Sequence, residues 1–173
     1  MTIRTEQPGD EPAIHHVTEA AFADHPHSEG TEPAIVDALR TSGDLALSLV
    51  AEEGGAIVGH VAFSRAILSG GEGGWYTLGP ISVLPEQQGR GIGRALVEAG
   101  AAHWRKAGAQ GIVLLGDPAL YSRFGFVTGT PLHIEGPLAD YFQVLSFTES
   151  IPASSVTFAP AFSSAGTRKS RGV

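Results

Sequence analysis

The stretch Leu78 to Arg94, LGPISVLPEQQGRGIGR, constrains this chain more than any other. An apolar run suited to a buried strand, Ile81 to Val83, stops at Leu84-Pro85. Glu86-Gln87-Gln88 makes a short polar turn, and Gly89, Gly91 and Gly93 follow at alternate positions with Arg90 and Arg94 beside them. Ile92, Ala95, Leu96, Ala99 and His103 then recur at the spacing of one helix face, so a helix begins within the glycines. The first amides of such a helix have no partner inside it and lie at the positive end of its dipole. Strand, glycine turn and helix start in this order make an anion site, and phosphate is the usual anion.

The spacing narrows the choice of phosphate ligand. A P-loop requires a Gly-Lys pair after four intervening residues, and here Lys106 lies far down the helix. The dinucleotide fingerprint fails because Gly93 comes one residue too early for a third glycine. The residues spell Gln88-x-x-Gly91-x-Gly93 after a strand ending in Val83-Leu84-Pro85. That pattern resembles the acetyl-CoA pyrophosphate loop of the GCN5-related N-acetyltransferases (GNAT). A Cβ at the glycines would obstruct the approach of backbone to diphosphate, and Arg90 and Arg94 add positive charge to the cradle.

A second stretch carries the same resemblance. Gly116 to Val127, GDPALYSRFGFV, places Tyr121 four residues before Gly125-Phe126, as acetyltransferases of this superfamily do after the strand beyond the cofactor helix. Its wording is similar to the YhbS-like predicted N-acetyltransferases, over about residues 2 to 162. Many relatives carry Asn where this chain has Asp117, a position whose side chain would reach the pantetheine arm. For Phe124 and Phe126 the residues alone favour core packing.

The resemblance implies an α/β fold, a central mostly antiparallel sheet with one parallel, splayed strand pair flanked by helices. It implies acetyl-CoA as co-substrate, no metal, and direct attack of an amine on the thioester. Residues 81 to 83 (Ile81, Ser82, Val83) would pair with the pantetheine amides, and one N–H there would polarise the thioester oxygen. Gln88, Gly89, Arg90, Gly91, Ile92, Gly93 and Arg94 would hold the pyrophosphate. Asp117 and Tyr121 complete the set, with Tyr121 as the general acid that protonates the leaving thiolate; phenol and thiol have comparable pKa values. The acceptor is an amine on a small molecule or a protein. Two other readings stay open: a non-catalytic acyl-CoA sensor, and a protein binding another nucleotide diphosphate.

The general base has no clear candidate in the sequence. His60 lies on a central strand, where a histidine is more often buried or on the surface than catalytic. Asp24, His25 and His27 could line the acceptor cleft, with the loops at 24 to 31, 68 to 74 and 129 to 141. His25-x-His27 also invites a metal reading, but a zinc site needs further ligands.

Composition enters as a set of exclusions. With 42% apolar and 17% charged residues, the chain has the balance of a globular protein rather than a disordered one. No apolar run is long enough to span a bilayer, and no signal-peptide pattern opens the sequence. The absence of cysteine excludes disulfides, thiolate metal sites and a thiol nucleophile, and fits a cytoplasmic location. Residues 1 to 53 hold eleven acidic side chains against Arg4 and Arg40, which argues against nucleic acid and tilts the acceptor toward a cation.

In chain order the pattern predicts a strand at Thr2 to Arg4 and a helix capped by Asp10 that ends near Asp24. A second helix spans 32 to 40, and a hairpin of 45 to 51 with 56 to 63 turns at Gly54-Gly55. The Trp75–Val83 strand, the long helix and a buried strand at Gly111 to Leu115 follow, the two strands parallel because a helix joins them. Asp117-Pro118 starts a short helix, and strands are expected at 126 to 127, 141 to 147 and 156 to 158. A single domain over 1 to 162 with a flexible tail from Ser163 is expected, and strand edges near the C-terminus leave room for a homodimer.

Overall fold

The computed structural model describes residues 1–166. Its frame is the hairpin of β2 (Leu45–Glu53) and β3 (Ala56–Arg65). Gly54 and Gly55 turn it, both at positive φ (58° and 79°), the backbone that matches the strand twist in a two-residue loop. β1 (Thr2–Thr5) pairs outside β2, and β5 (Trp75–Val83), β6 (Gly111–Leu115) and β7 (Phe142–Ser146) extend the other side. The sheet order is β1-β2-β3-β5-β6-β7, antiparallel throughout except for β5 with β6. The short strands β4 (Ile67–Leu68) and β8 (Val156–Thr157) make a separate antiparallel pair.

Helices cover both faces. α1 (Glu11–Phe22) and α2 (Glu32–Ser42) lie on one side, α3 (Ile92–Lys106) on the other. The alternation along β2 makes this explicit: Leu49 and Ala51 join the α3 cluster, whereas Val50 between them packs with Ile14 of α1 and Val36 of α2. α4 (Pro118–Tyr121) follows β6, and α5 (Pro160–Gly166) packs its Ala161 with Ile35 and Leu39 of α2.

Four expectations change in the structure. Asp10 makes no side-chain cap; its carboxylate takes Arg4 Nη1 at 2.7 Å and the Gln7 amide at 2.8 Å. Those contacts, the Arg4 guanidinium first, hold it below the usual carboxylate range. The buried face of α3 runs through Ile92, Leu96, Val97, Gly100 and Trp104, leaving His103 exposed, because Trp104 stacks on Tyr76 at 3.5 Å between ring centroids. The expected strand at 126 to 127 is a single bridge between Val127 and Val144. α5 carries helix through 163–166, where a flexible tail was expected; the remainder of that tail, 167–173, lies outside the described residues.

Gly100 sets how closely α3 approaches the sheet. A Cβ there would stand 2.2 Å from Phe63 Cζ, and Phe63 is fully buried. Alanine is favoured over glycine in a helix by ~1 kcal/mol, but overpacking a closed core costs about 1–3 kcal/mol. Gly100→Ala is therefore expected to lower unfolding free energy in urea by about 1 kcal/mol or more, with Phe63→Leu restoring part of it.

Candidate active site

The site begins where two strands part. β5 and β6 pair in parallel at Trp75–Gly111, Tyr76–Ile112 and Thr77–Val113, and the ladder stops there. β6 stays paired to β7 through Leu115, and β5 stays paired to β3 through Val83. Between Leu78 and Ile81, β5 carries one residue more than β3 opposite it, a bulge at Gly79-Pro80 that bends the strand. Pro80 has no N–H to donate in either direction. The outcome is a V-shaped gap opening toward the ends of both strands.

Main-chain direction in the gap follows from one bond. The Leu84 amide donates to Val58 O at 2.9 Å, toward β3. In an antiparallel ladder this direction alternates, so Ser82 also points toward β3 while Ile81 and Val83 offer their N–H and C=O to the gap. Gln88 Nε2 donates to Val83 O at 3.1 Å, which ties the start of the glycine turn to the gap's edge. Ser82 departs from the expected set. Its hydroxyl is buried on the far face, 3.3 Å from Thr18 Oγ1.

The glycine turn forms as the residues require. Gly89 and Gly91 adopt left-handed backbone (φ 79° and 83°), and a Cβ on either would meet no protein atom within 4 Å. Backbone conformation and the space above the turn, not packing, account for glycine there. The Gln88 amide donates to Pro85 O at 3.3 Å and the Ala95 amide to Gly91 O at 3.0 Å. Among the described residues, no protein acceptor takes the amides from Gly89 to Arg94. Ile92 buries its side chain against Gly59 of β3, which seats the helix end on the sheet.

The two arginines stand in ion pairs. Arg90 forms a two-pronged contact with Glu53 (2.8 and 3.1 Å) and touches Gln87, and each partner of the Arg90–Glu53 pair shifts the other toward its charged form. Arg94 bonds Glu98 at 2.8 Å on its own helix. Along the same helix lies a cleft of ≈ 290 Å³ that includes Arg105, Arg123 and Phe124. Arg123 was not singled out in the sequence, where nothing in its neighbours signals a pocket.

Tyr121 stands just past the end of β6, the strand on one side of the gap. Its ring packs so closely on Gly116, just past β6, that a Cβ there would come within 2.5 Å of Cε2. Phe124 and Phe126 flank it at 6.3 and 6.0 Å between centroids. This burial pushes the phenol's pKa up, so it is held protonated. Asp117 is occupied as a helix cap, its Oδ1 accepting from the Ala119 amide at 2.9 Å.

Other sequence candidates fall outside the gap. His60 is fully buried; its Nε2 lies 2.8 Å from Ser48 Oγ and its Nδ1 has no partner. Desolvation, with Arg40 adding repulsion, lowers its pKa to about 3, far too weak a base at neutral pH. Asp24, His25 and His27 are exposed in the α1–α2 loop, with the two rings 6.0 Å apart. The nearby cleft, ≈ 600 Å³, is lined instead by Thr31, Glu32 and Ile35 of the α2 start, Leu115, the 134–138 loop and the β8–α5 segment. Two of the three expected acceptor loops contribute to it; residues 68 to 74 do not. Among the described residues, no cluster of three or more His, Cys, Asp or Glu groups could hold a metal, and no helix is long and apolar enough to cross a membrane.

Known proteins are similar to this chain in sequence and fold. The family model described as "Acetyltransferase (GNAT) domain" matches residues 44–128. The Escherichia coli K12 protein named "Uncharacterized N-acetyltransferase YhbS" is 39% identical over 127 residues, 73% of each chain. A GNAT family acetyltransferase from Brucella melitensis, solved in complex with acetyl-CoA, is 48% identical with a TM-score of 0.83, covering 93% of this chain and 97% of that one. The Escherichia coli YhbS structure in complex with CoA superposes with a TM-score of 0.86 at 32% identity, covering 94% and 91%.

His60 yields a pH prediction. Its folded pKa is depressed from the ordinary 6.5 to about 3, so the unfolded chain binds the extra proton between those values. Stability is therefore full above pH 6.5 and falls as pH drops toward 3, by up to about 1.4 kcal/mol per unit. Urea unfolding at pH 6.5 and pH 5, above the carboxylate range, should show this loss, and His60→Gln should flatten it.

Proposed function

The chain belongs to the GNAT acetyltransferase family, and from that membership we propose that it moves the acetyl group of acetyl-CoA to an amine by direct attack on the thioester. The observation that carries the reading is the row of unclaimed amides at the head of α3, directly beside the parted strands. A diphosphate bound there would meet N–H donors, a helix dipole and no obstructing Cβ. The pantetheine arm would lie in the gap and complete the interrupted ladder, its amides pairing with the main chain of Ile81 and Val83. The Gln88 side chain would yield Val83 O to the arm or hold the edge beside it. Arg90 and Arg94 keep further guanidinium donors beyond their carboxylate partners, and either could reach a phosphate.

The chemistry follows from these positions. The neutral amine nitrogen attacks the acetyl carbon, and the carbonyl oxygen gathers negative charge. A main-chain N–H of the gap, that of Val83 foremost, would stabilise that charge. As the intermediate collapses, the C–S bond breaks and the Tyr121 hydroxyl gives its proton to the departing thiolate. A buried phenol suits this step because it remains protonated at the pH where the amine is free to react. Asp117 would act through its cap, holding α4 and hence Tyr121 just past the end of β6, rather than by touching the pantetheine. The attacking nitrogen loses its proton to solvent.

Ligand binding, turnover and two variants test the reading. Acetyl-CoA and CoA should each raise the melting temperature, ATP and NAD should not, and thiol release should require an amine. Tyr121→Phe should lower kcat by about 10²- to 10³-fold with the KM for acetyl-CoA nearly unchanged; turnover at the wild-type rate would remove the general-acid role. Gly91→Ala places a side chain at positive φ above the turn. It should weaken acetyl-CoA binding at least tenfold while costing about 1–2 kcal/mol of stability.

A further inference from the structure

We propose that the amine acceptor is a primary amine on an apolar, aromatic body, recognised in the cleft between the α2 start, Leu115 and the β8–α5 segment. The inference rests on the transferase reading, since it names that enzyme's acceptor. Leu115 ends β6, the strand that borders the gap, so the cleft adjoins the place where the acetyl group would arrive. At ≈ 600 Å³ it has the size of a small-molecule site rather than a protein-binding groove.

Its lining has one chemical sign. Among the described residues, Glu32 and Glu135 are the ionisable residues that border it, and no Lys, Arg or His lines it, although His133 Nε2 stands 3.3 Å from Glu135 Oε1 just outside. Ser28 Oγ donates to Glu32 Oε2 at 2.6 Å and fixes the carboxylate in the first turn of α2, where the helix dipole favours a negative charge. The remaining wall is mostly apolar. Phe158 stands 6.3 Å from the buried Phe142 and 5.9 Å from Phe162, a row of tilted rings that a further aromatic group could extend. Leu115 and Leu138, at 38% and 51% exposure, are among the few large apolar side chains left in water, and both border this cleft.

These features select by charge and by body. A protonated amine is drawn in by the carboxylates, whereas the carboxylate of a free amino acid is repelled. A short diamine satisfies the charge but leaves the aromatic row and both leucines in water. Glu32 and Glu135 act here as specificity residues, with the fixed Glu32 the stronger of the two.

The test uses the full-length protein. Phenethylamine, phenylalanine and putrescine are compared by thiol release from acetyl-CoA, and phenethylamine is titrated calorimetrically into the CoA-saturated protein. The expected result is a kcat/KM for phenethylamine at least tenfold above the other two. Glu32→Gln should raise its KM fivefold or more without moving the KM for acetyl-CoA, and Leu138→Ser should raise it similarly. Equal use of phenylalanine, or an unchanged amine KM in Glu32→Gln, overturns the inference. Absence of phenethylamine binding while another amine class is acetylated also overturns it and leaves the transferase reading intact. Calorimetric binding without thiol release from any amine supports the amine site and removes the transferase reading instead.

Discussion

The parallel ladder between β5 and β6 lasts for three residue pairs, and the rest of the site depends on its interruption. Buried main-chain N–H and C=O groups are normally paired, so a strand that loses its neighbour within a sheet needs another partner. Here the bulge at Gly79-Pro80 turns β5 aside while its other edge remains hydrogen-bonded to β3. Rigidity on one side and main-chain polar groups outside the ladder on the other, one of them Val83 O held only by the Gln88 side chain, make a slot suited to an extended chain of amides.

The glycine turn lies at the end of that slot for a packing reason. Ile92 and Leu96 sit over Gly59, where a Cβ would come within 3.0 and 3.1 Å of them, so the head of α3 is drawn onto the middle of the sheet. Gly100 repeats the device against Phe63 two turns further on. Glycines thus serve α3 in two distinct ways. At 89 and 91 they permit a backbone that other residues resist, and at 59 and 100 they permit contact.

The two faces of the sheet divide the work. The α3 face carries the glycine turn and the clustered aromatic rings around Tyr121. The opposite face carries α2, α5 and the acidic, aromatic-walled cleft. His60 shows how strongly burial can decide a role: a residue type suited to proton transfer is made inert by desolvation, with Arg40 adding repulsion. Ser82, paired with His60 across the ladder, turns its hydroxyl toward Thr18 of α1 by the period-two alternation of the strand, which places adjacent side chains on opposite faces.

What could be read from the sequence is what neighbouring residues decide among themselves. The strand, the Gly89-x-Gly91 turn, the start of α3, the Gly54-Gly55 hairpin and the Asp117-Pro118 cap all follow from backbone conformation and hydrogen bonds within a few positions, and all occur where expected. Tertiary structure alone decided which partners distant residues found. Glu53 meets Arg90 across 37 positions, Thr18 meets Ser82 across 64, and the cleft joins residues from Thr31 to Ser163. The chain's acidity hinted at a cationic acceptor, but composition carries no geometry. Only folding could bring Glu32, Leu115 and Phe158 around one volume, because contact between remote residues is set by how whole elements pack and not by any local pattern.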